Sequence, residues 1–238
     1  MSPTPIRIFS IQFDIPLPFQ QIPQWRGAIA EHVGLQDERF HNHQGEKDRF
    51  HYRYPTVFYR SQQGKAAIWS FGDGTEALKE LLLESKPDFN LSGQPWDLKV
   101  WNVDITLFQP RMSPNPQSYF LKNWLALNEF NFKRWEKLPN PEAQMLFLEQ
   151  ILASNLIAFA KAIVWQLPER LVVRIPQITR TTRAKHKGIL MLTFDVLFEA
   201  NLFLPIGLGI GKAVSHGYGV VSRPSRNKKL PTSEEQDS

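Results

Sequence analysis

Apolar and polar residues alternate through residues 6–15, IRIFSIQFDI, the period-two pattern of a strand buried on one side. Pro16 and Pro18 close that run. The spacing then changes. Ile22, Trp25, Ile29 and Val33 recur at helical intervals and Gly34 supplies a stop, which predicts a helix over 22–33. After a polar, basic connection, two strand-like runs, 52–60 and 65–71, flank a Gln-Gln-Gly turn. Asp73 reads as the N-cap of a helix carrying Leu78, Leu81 and Leu82, and residues 96–108, WDLKVWNVDITLF, alternate again.

Pro110, Pro114 and Pro116 mark a boundary. Beyond it the pattern predicts a strand over 119–127, an aromatic stretch, and a helix over 141–164. Met145, Leu148, Leu152, Leu156, Phe159 and Ile163 form a broad apolar stripe on that helix. Strand signals follow at 171–178 and 188–203, the latter long enough to bend or to cross between sheets, and a last strand is expected at 218–222. The first half reads β-α-β-β-α-β, the order of a ferredoxin-like (RRM-like) domain, and the second half repeats most of it without evident sequence identity. The expected fold is α+β, with tandem ferredoxin-like domains at 1–110 and 117–222. Each would have an antiparallel sheet with helices on one face. A polar tail, 223–238, is expected to be disordered.

Composition narrows this picture only slightly. The 238 residues are 42% hydrophobic and 12% aromatic, enough for packed cores, and carry a formal charge of +5. That excess favours a polyanionic partner without requiring one. The absence of cysteine excludes disulfides and thiolate zinc sites. No run approaches about 18 uninterrupted apolar residues, and the N-terminus lacks the charged and apolar regions of a secretory signal. No membrane association is expected, and the location is expected to be cytoplasmic.

Candidate chemistry concentrates in two places. The first is GIGKAVSHGYG, residues 209–219. A P-loop would need glycine where Ile206 stands and Ser or Thr where Ala213 stands; the G-x-G-x-x-G dinucleotide fingerprint fails at Lys212 and Val214. The segment can bring backbone close to phosphate through Gly209, Gly211, Gly217 and Gly219, with Lys212, Ser215 and His216 adding charge and donors. Ile210 and Tyr218 would anchor it. A long hairpin with glycine corners is the alternative.

The second place is a histidine cluster: His32, His41, His43 and His51 fall within twenty residues. His32 sits beside core positions of the first helix, and His51 leads into a strand. His41 and His43 are two apart, so on an extended segment both imidazoles face the same way. Imidazole serves as base or acid near neutral pH. An H-x-H metal pair needs further ligands, and no second cluster stands out. A solvated basic loop is the remaining alternative. Around the cluster, Arg39, Lys47, Arg49 and Arg53 interleave with aromatic residues, a mixture suited to RNA phosphates and bases. A second basic run, Arg180, Arg183, Lys185, His186 and Lys187, is expected at a hairpin tip, where it could enter an RNA groove or remain solvated.

GIGKAVSHGYG fits without a gap the G-h-G-x5-G-h-G signature, where h is hydrophobic and x5 includes a basic residue. The chain thereby resembles the CRISPR-associated endoribonucleases that process repeat RNA, the sixth Cas protein family of the RAMP superfamily. The position of the motif after Leu204-Pro205, and the stretch Arg39-Phe-His41-Asn-His43 followed by Tyr52-Arg-Tyr-Pro55, are also similar to that family. The resemblance implies a metal-independent endoribonuclease that needs no cofactor. His41 and His43 would be catalytic, and repeat RNA would be held by the glycine segment, Arg53, Arg180, Arg183, Lys185 and Lys187. It implies attack by the substrate 2′-hydroxyl, leaving 5′-hydroxyl and 2′,3′-cyclic-phosphate ends. A CRISPR effector complex is a further implied partner, and the protein itself would be a monomer or homodimer. A non-catalytic RAMP subunit that holds crRNA is the competing role.

Overall fold

The computed structural model describes residues 3–34, 39–40, 54–83, 89–186 and 188–224. The chain divides into two compact units. One comprises Met1–Pro110, Ala158–Gln166 and Ala213–Gly217, the other Arg111–Ile157, Leu167–Lys212 and Tyr218–Ser238.

In the first unit the alternating opening run forms β1 (Ile6–Pro16), and the helical spacing forms α1 (Ile22–Val33). β2 (Val57–Gln62), β3 (Lys65–Phe71) and α2 (Gly74–Leu83) follow. A short hairpin, β4 (Phe89–Leu91) and β5 (Gln94–Trp96), precedes β6 (Val100–Phe108). The sheet runs β2-β3-β1-β6 with every pair antiparallel. Phe9, Ile11 and Phe13 of β1 meet Trp25 and Ile29 of α1 and Leu78 of α2 in one core, which places both helices on one face. On the opposite face Phe58 stacks on Phe71 at 6.1 Å, and Tyr54 and Phe159 close the cluster. Burial there raises the Tyr54 phenol and lowers the Arg60 guanidinium to about 9, so Arg60 stays a cation at neutral pH.

The second unit contains β7 (Met112–Trp124), α3 (Glu129–Glu136), most of α4 (Pro141–Ala162), β8 (Val173–His186), β9 (Ile189–Leu202) and β10 (Val220–Ser222). Its sheet runs β10-β7-β9-β8, again antiparallel throughout. Counted by order within each unit, both sheets read fourth-first-third-second, the ferredoxin-like topology. In the second unit the glycine-rich segment occupies the chain position that α2 has in the first.

Four expectations are corrected. Pro114 and Pro116 do not end a segment: β7 runs through both, and a register shift against β9 between Met112 and Gln117 absorbs them. The run expected at 96–108 is broken: Trp96 ends the β4–β5 hairpin, whose turn residues Ser92 and Gly93 have φ of 57° and 84°, and β6 starts only at Val100. Residues 189–202 stay in one sheet rather than crossing between two, paired with β7 and β8. Finally, α4 is long and apolar enough to cross a membrane by length and composition. One stripe of it packs into the core: Leu148, Leu152 and Leu156 are buried, and its Glu149 carboxylate accepts from the Ile175 N–H of β8 at 2.8 Å.

Candidate RNA interface

The glycine-rich segment leaves β9 under the control of Tyr119. Its hydroxyl donates to the Leu202 carbonyl at 3.0 Å and accepts from the Leu204 N–H at 2.9 Å, and burial raises its phenol. The chain then runs beside β10. Val221 N–H donates to the Leu208 carbonyl at 2.9 Å, and Ile210 N–H donates to the Gly219 carbonyl at 2.7 Å. Gly209 is buried and bridges to Val220.

Three glycines here are required by space. A Cβ on Gly219 would lie 1.8 Å from the Ile210 carbonyl oxygen, and Gly219 holds φ of 62°. One on Gly211 would lie 2.7 Å from the Trp124 indole. Gly217, at φ 84°, seats against Ile22 of α1, whose Cδ1 would be 2.5 Å from an added Cβ. Gly209, Gly217 and Gly219 are buried and Gly211 is half-buried, so these positions serve packing first. Ile210 and Tyr218 are buried, as expected of anchors, and burial raises the Tyr218 phenol. Lys212, Ser215 and His216 are the half-buried polar side chains of the segment.

The exit of the segment is fixed by a relay from the sheet. The buried carboxylate of Asp195 accepts from the Asn123 N–H at 2.6 Å, which holds Asn123 at φ 51°, and the Asn123 carbonyl accepts from the Gly219 N–H at 3.1 Å. At the tip, Ala213 takes the left-handed conformation and starts a single 3-10 turn, Val214–His216, that ends at Gly217. Val214 is buried.

His216 meets a residue that the sequence reading missed. Arg26 of α1 donates from Nη1 to His216 Nε2 at 3.2 Å. A guanidinium has donors only, so Nε2 carries the lone pair, and the neutral ring holds its proton on Nδ1. The sequence signal was available: Arg26 lies one turn after Ile22 and three residues before Ile29, along the apolar stripe of α1.

The basic run lies on β8 itself rather than between strands, at the closing end of the β8–β9 hairpin, because β8 stays in register with β9 as far as His186↔Ile189. Arg183 and Lys185 share one face opposite Leu192 and Leu190. Arg180 alternates to the other face, opposite Asp195, with its Nε 3.7 Å from that carboxylate. All three are exposed. His41, His43, Arg53 and Lys187 lie outside the described residues, as does most of the tail. What is described is the start of the H-x-H segment. Phe40 is buried, its carbonyl accepts from the Tyr59 hydroxyl at 3.0 Å, and Arg39 pairs with Glu80 of α2. His32 packs edge-on against Phe89 at 5.6 Å, a core contact.

Comparison with known proteins accords with this architecture. The Cas6b N-terminal domain family matches residues 4–106 and the Cas6b C-terminal domain family matches residues 111–224. A crystal structure of Cas6b has a TM-score of 0.83 with this chain at 24% identity, covering 92% of this chain and 100% of the other. A second, described as the CRISPR RNA processing endoribonuclease Cas6b, has a TM-score of 0.69 at 23% identity, covering 92% and 98%. An uncharacterised protein of Methanocaldococcus jannaschii is 28% identical over 145 residues, 60% of this chain and 97% of its own length. The two domain families together span nearly the whole described chain, and the protein belongs to the Cas6b family of CRISPR RNA-processing endoribonucleases.

Proposed function

We propose that this protein binds CRISPR repeat RNA and cuts each repeat without a metal, using the RNA's own 2′-hydroxyl as nucleophile. The observation that carries this reading is the match of both Cas6b domains along the chain. His41 and His43 are the acid–base residues: one takes the 2′-hydroxyl proton, and the other protonates the departing 5′-oxygen. The products are a 2′,3′-cyclic phosphate and a 5′-hydroxyl. Acid–base help of this kind contributes roughly 10²–10⁴-fold. Lys212 and Ser215 of the glycine-rich segment, together with Arg53, Arg183, Lys185 and Lys187, contact RNA. Arg180 is the weakest contributor, because its charge lies beside Asp195. His216 is a positioning residue, its Nε2 accepting from Arg26.

Replacing the single nucleotide before the cleaved linkage with its 2′-deoxy form tests the nucleophile. Cutting stops and binding of the repeat is retained. Undiminished cutting of the deoxy substrate excludes 2′-hydroxyl attack. A chain that binds repeat RNA and never cuts it has the non-catalytic role of holding crRNA.

A further inference from the structure

Arg26 carries a charge that no carboxylate among the described residues neutralises. Among the described residues its one hydrogen bond goes to a neutral imidazole, it has no ion pair, and its Nε is buried with no acceptor. The side chain is half-buried on α1. A guanidinium withdrawn from water in this way is costly unless an anion meets it. The contrast with other arginines of the same unit is direct: Arg7 pairs with Glu76 and Arg39 with Glu80.

The surroundings hold this cation in place. Gly217 seats on Ile22, and one helical turn further Arg26 is bonded to His216, so the Val214–His216 turn is fastened to α1 at two successive levels. Val214 is buried beneath it. The imidazole occupies one N–H of the fork and fixes the plane of the guanidinium, leaving the other Nη protons directed by that plane. A planar fork with fixed orientation is the geometry that binds a phosphodiester through two oxygens. His216 contributes no charge of its own, so the anion-binding charge at the tip of the glycine-rich segment comes from a residue 190 positions earlier in the chain.

We infer that Arg26 binds one backbone phosphate of the RNA, with His216 as its positioning residue. This rests on the proposed binding of repeat RNA. The experiment measures equilibrium binding of the full chain to the uncleavable 2′-deoxy repeat from 50 to 300 mM salt. It compares wild type with Arg26→Gln, which keeps an N–H donor toward His216 while removing the charge, and with Arg26→Lys. Loss of one phosphate contact lowers the slope of log affinity against log salt by about 0.7–0.9 for Arg26→Gln, whereas Arg26→Lys keeps the slope. Affinity at low salt falls on the order of tenfold for Arg26→Gln. A second arm replaces each linkage in turn with a neutral methylphosphonate. One position weakens wild type and leaves Arg26→Gln unaffected.

An Arg26→Gln protein with the wild-type melting temperature and an unchanged salt slope overturns the inference. So does an Arg26→Gln protein that fails to fold while no single methylphosphonate position weakens wild type more than the others, since the guanidinium is then a structural strut. If wild type itself neither binds nor cuts the repeat, the functional reading fails. If wild type cuts and the slope does not move, only the assignment of Arg26 fails.

Discussion

A Cβ on Gly219 would run into the Ile210 carbonyl, so no side chain fits there, while Ala213 bears a left-handed strain that glycine would remove. The first constraint is backbone against backbone, which cannot relax by a rotamer change. Gly219→Ala therefore lowers stability by at least about 2 kcal/mol in denaturant unfolding, and it moves Ile210 and the Asn123 contact with it. Ala213 holds φ of 53° and ψ of 30°. Ala213→Gly relieves roughly 1 kcal/mol of left-handed strain against a comparable gain in unfolded-chain entropy, so its melting temperature stays within a few degrees of wild type. A large loss in Ala213→Gly contradicts the strain argument. Both substitutions bear on how the motif is read. Spacing alone identified which residues were glycine, but the reason each must be glycine lies in Ile210, Trp124 and Ile22, which the sequence does not place beside them. Arg26 was legible only as a cation on the apolar stripe of α1; its partner His216, far along the chain, was not.

At the level of elements, β6 shows how far periodicity reaches. Its alternation predicted a strand with one buried side, and Val103 and Ile105 do lie on the helix-covered face, opposite Ile11 and Phe9 of β1. The helical layer stops short of this edge strand, leaving Ile105 57% exposed while Phe9 is 3% exposed. Across that one register pair, Phe9→Ala costs about 3–5 kcal/mol and Ile105→Ala under about 1 kcal/mol. Chemical denaturation of both variants checks this, and equal losses contradict the described edge. The helix α1 was legible to its last residue, because period and Gly34 agree. β7 was not, because prolines signal breaks and only pairing with β9 reveals the register shift that admits them. The β4–β5 hairpin carried a readable Ser-Gly turn signal, masked by the stronger alternation that follows. The basic run was placed between two strands because the apolar pattern stops at residue 178. Pairing of β8 with β9 as far as His186 extends the strand through it.

For the whole molecule, the repeated element order anticipated both sheets, including their shared fourth-first-third-second order, because antiparallel connections of this length leave few alternatives. Sequence order also hinted that the second unit lacks a counterpart of α2, since the glycine-rich segment fills that place. The proposed division of labour assigns orientation of RNA to the glycine-rich segment and cutting to His41 and His43. Its most direct test is cleavage of the native repeat in excess EDTA by wild type, His41→Ala and His43→Ala, with product ends identified by mass. Wild type yields 2′,3′-cyclic-phosphate and 5′-hydroxyl ends at an undiminished rate, and each variant loses roughly 10²-fold or more while still binding the repeat. Cleavage that vanishes in EDTA and returns with a divalent metal, or histidine variants that cut as fast as wild type, would contradict it.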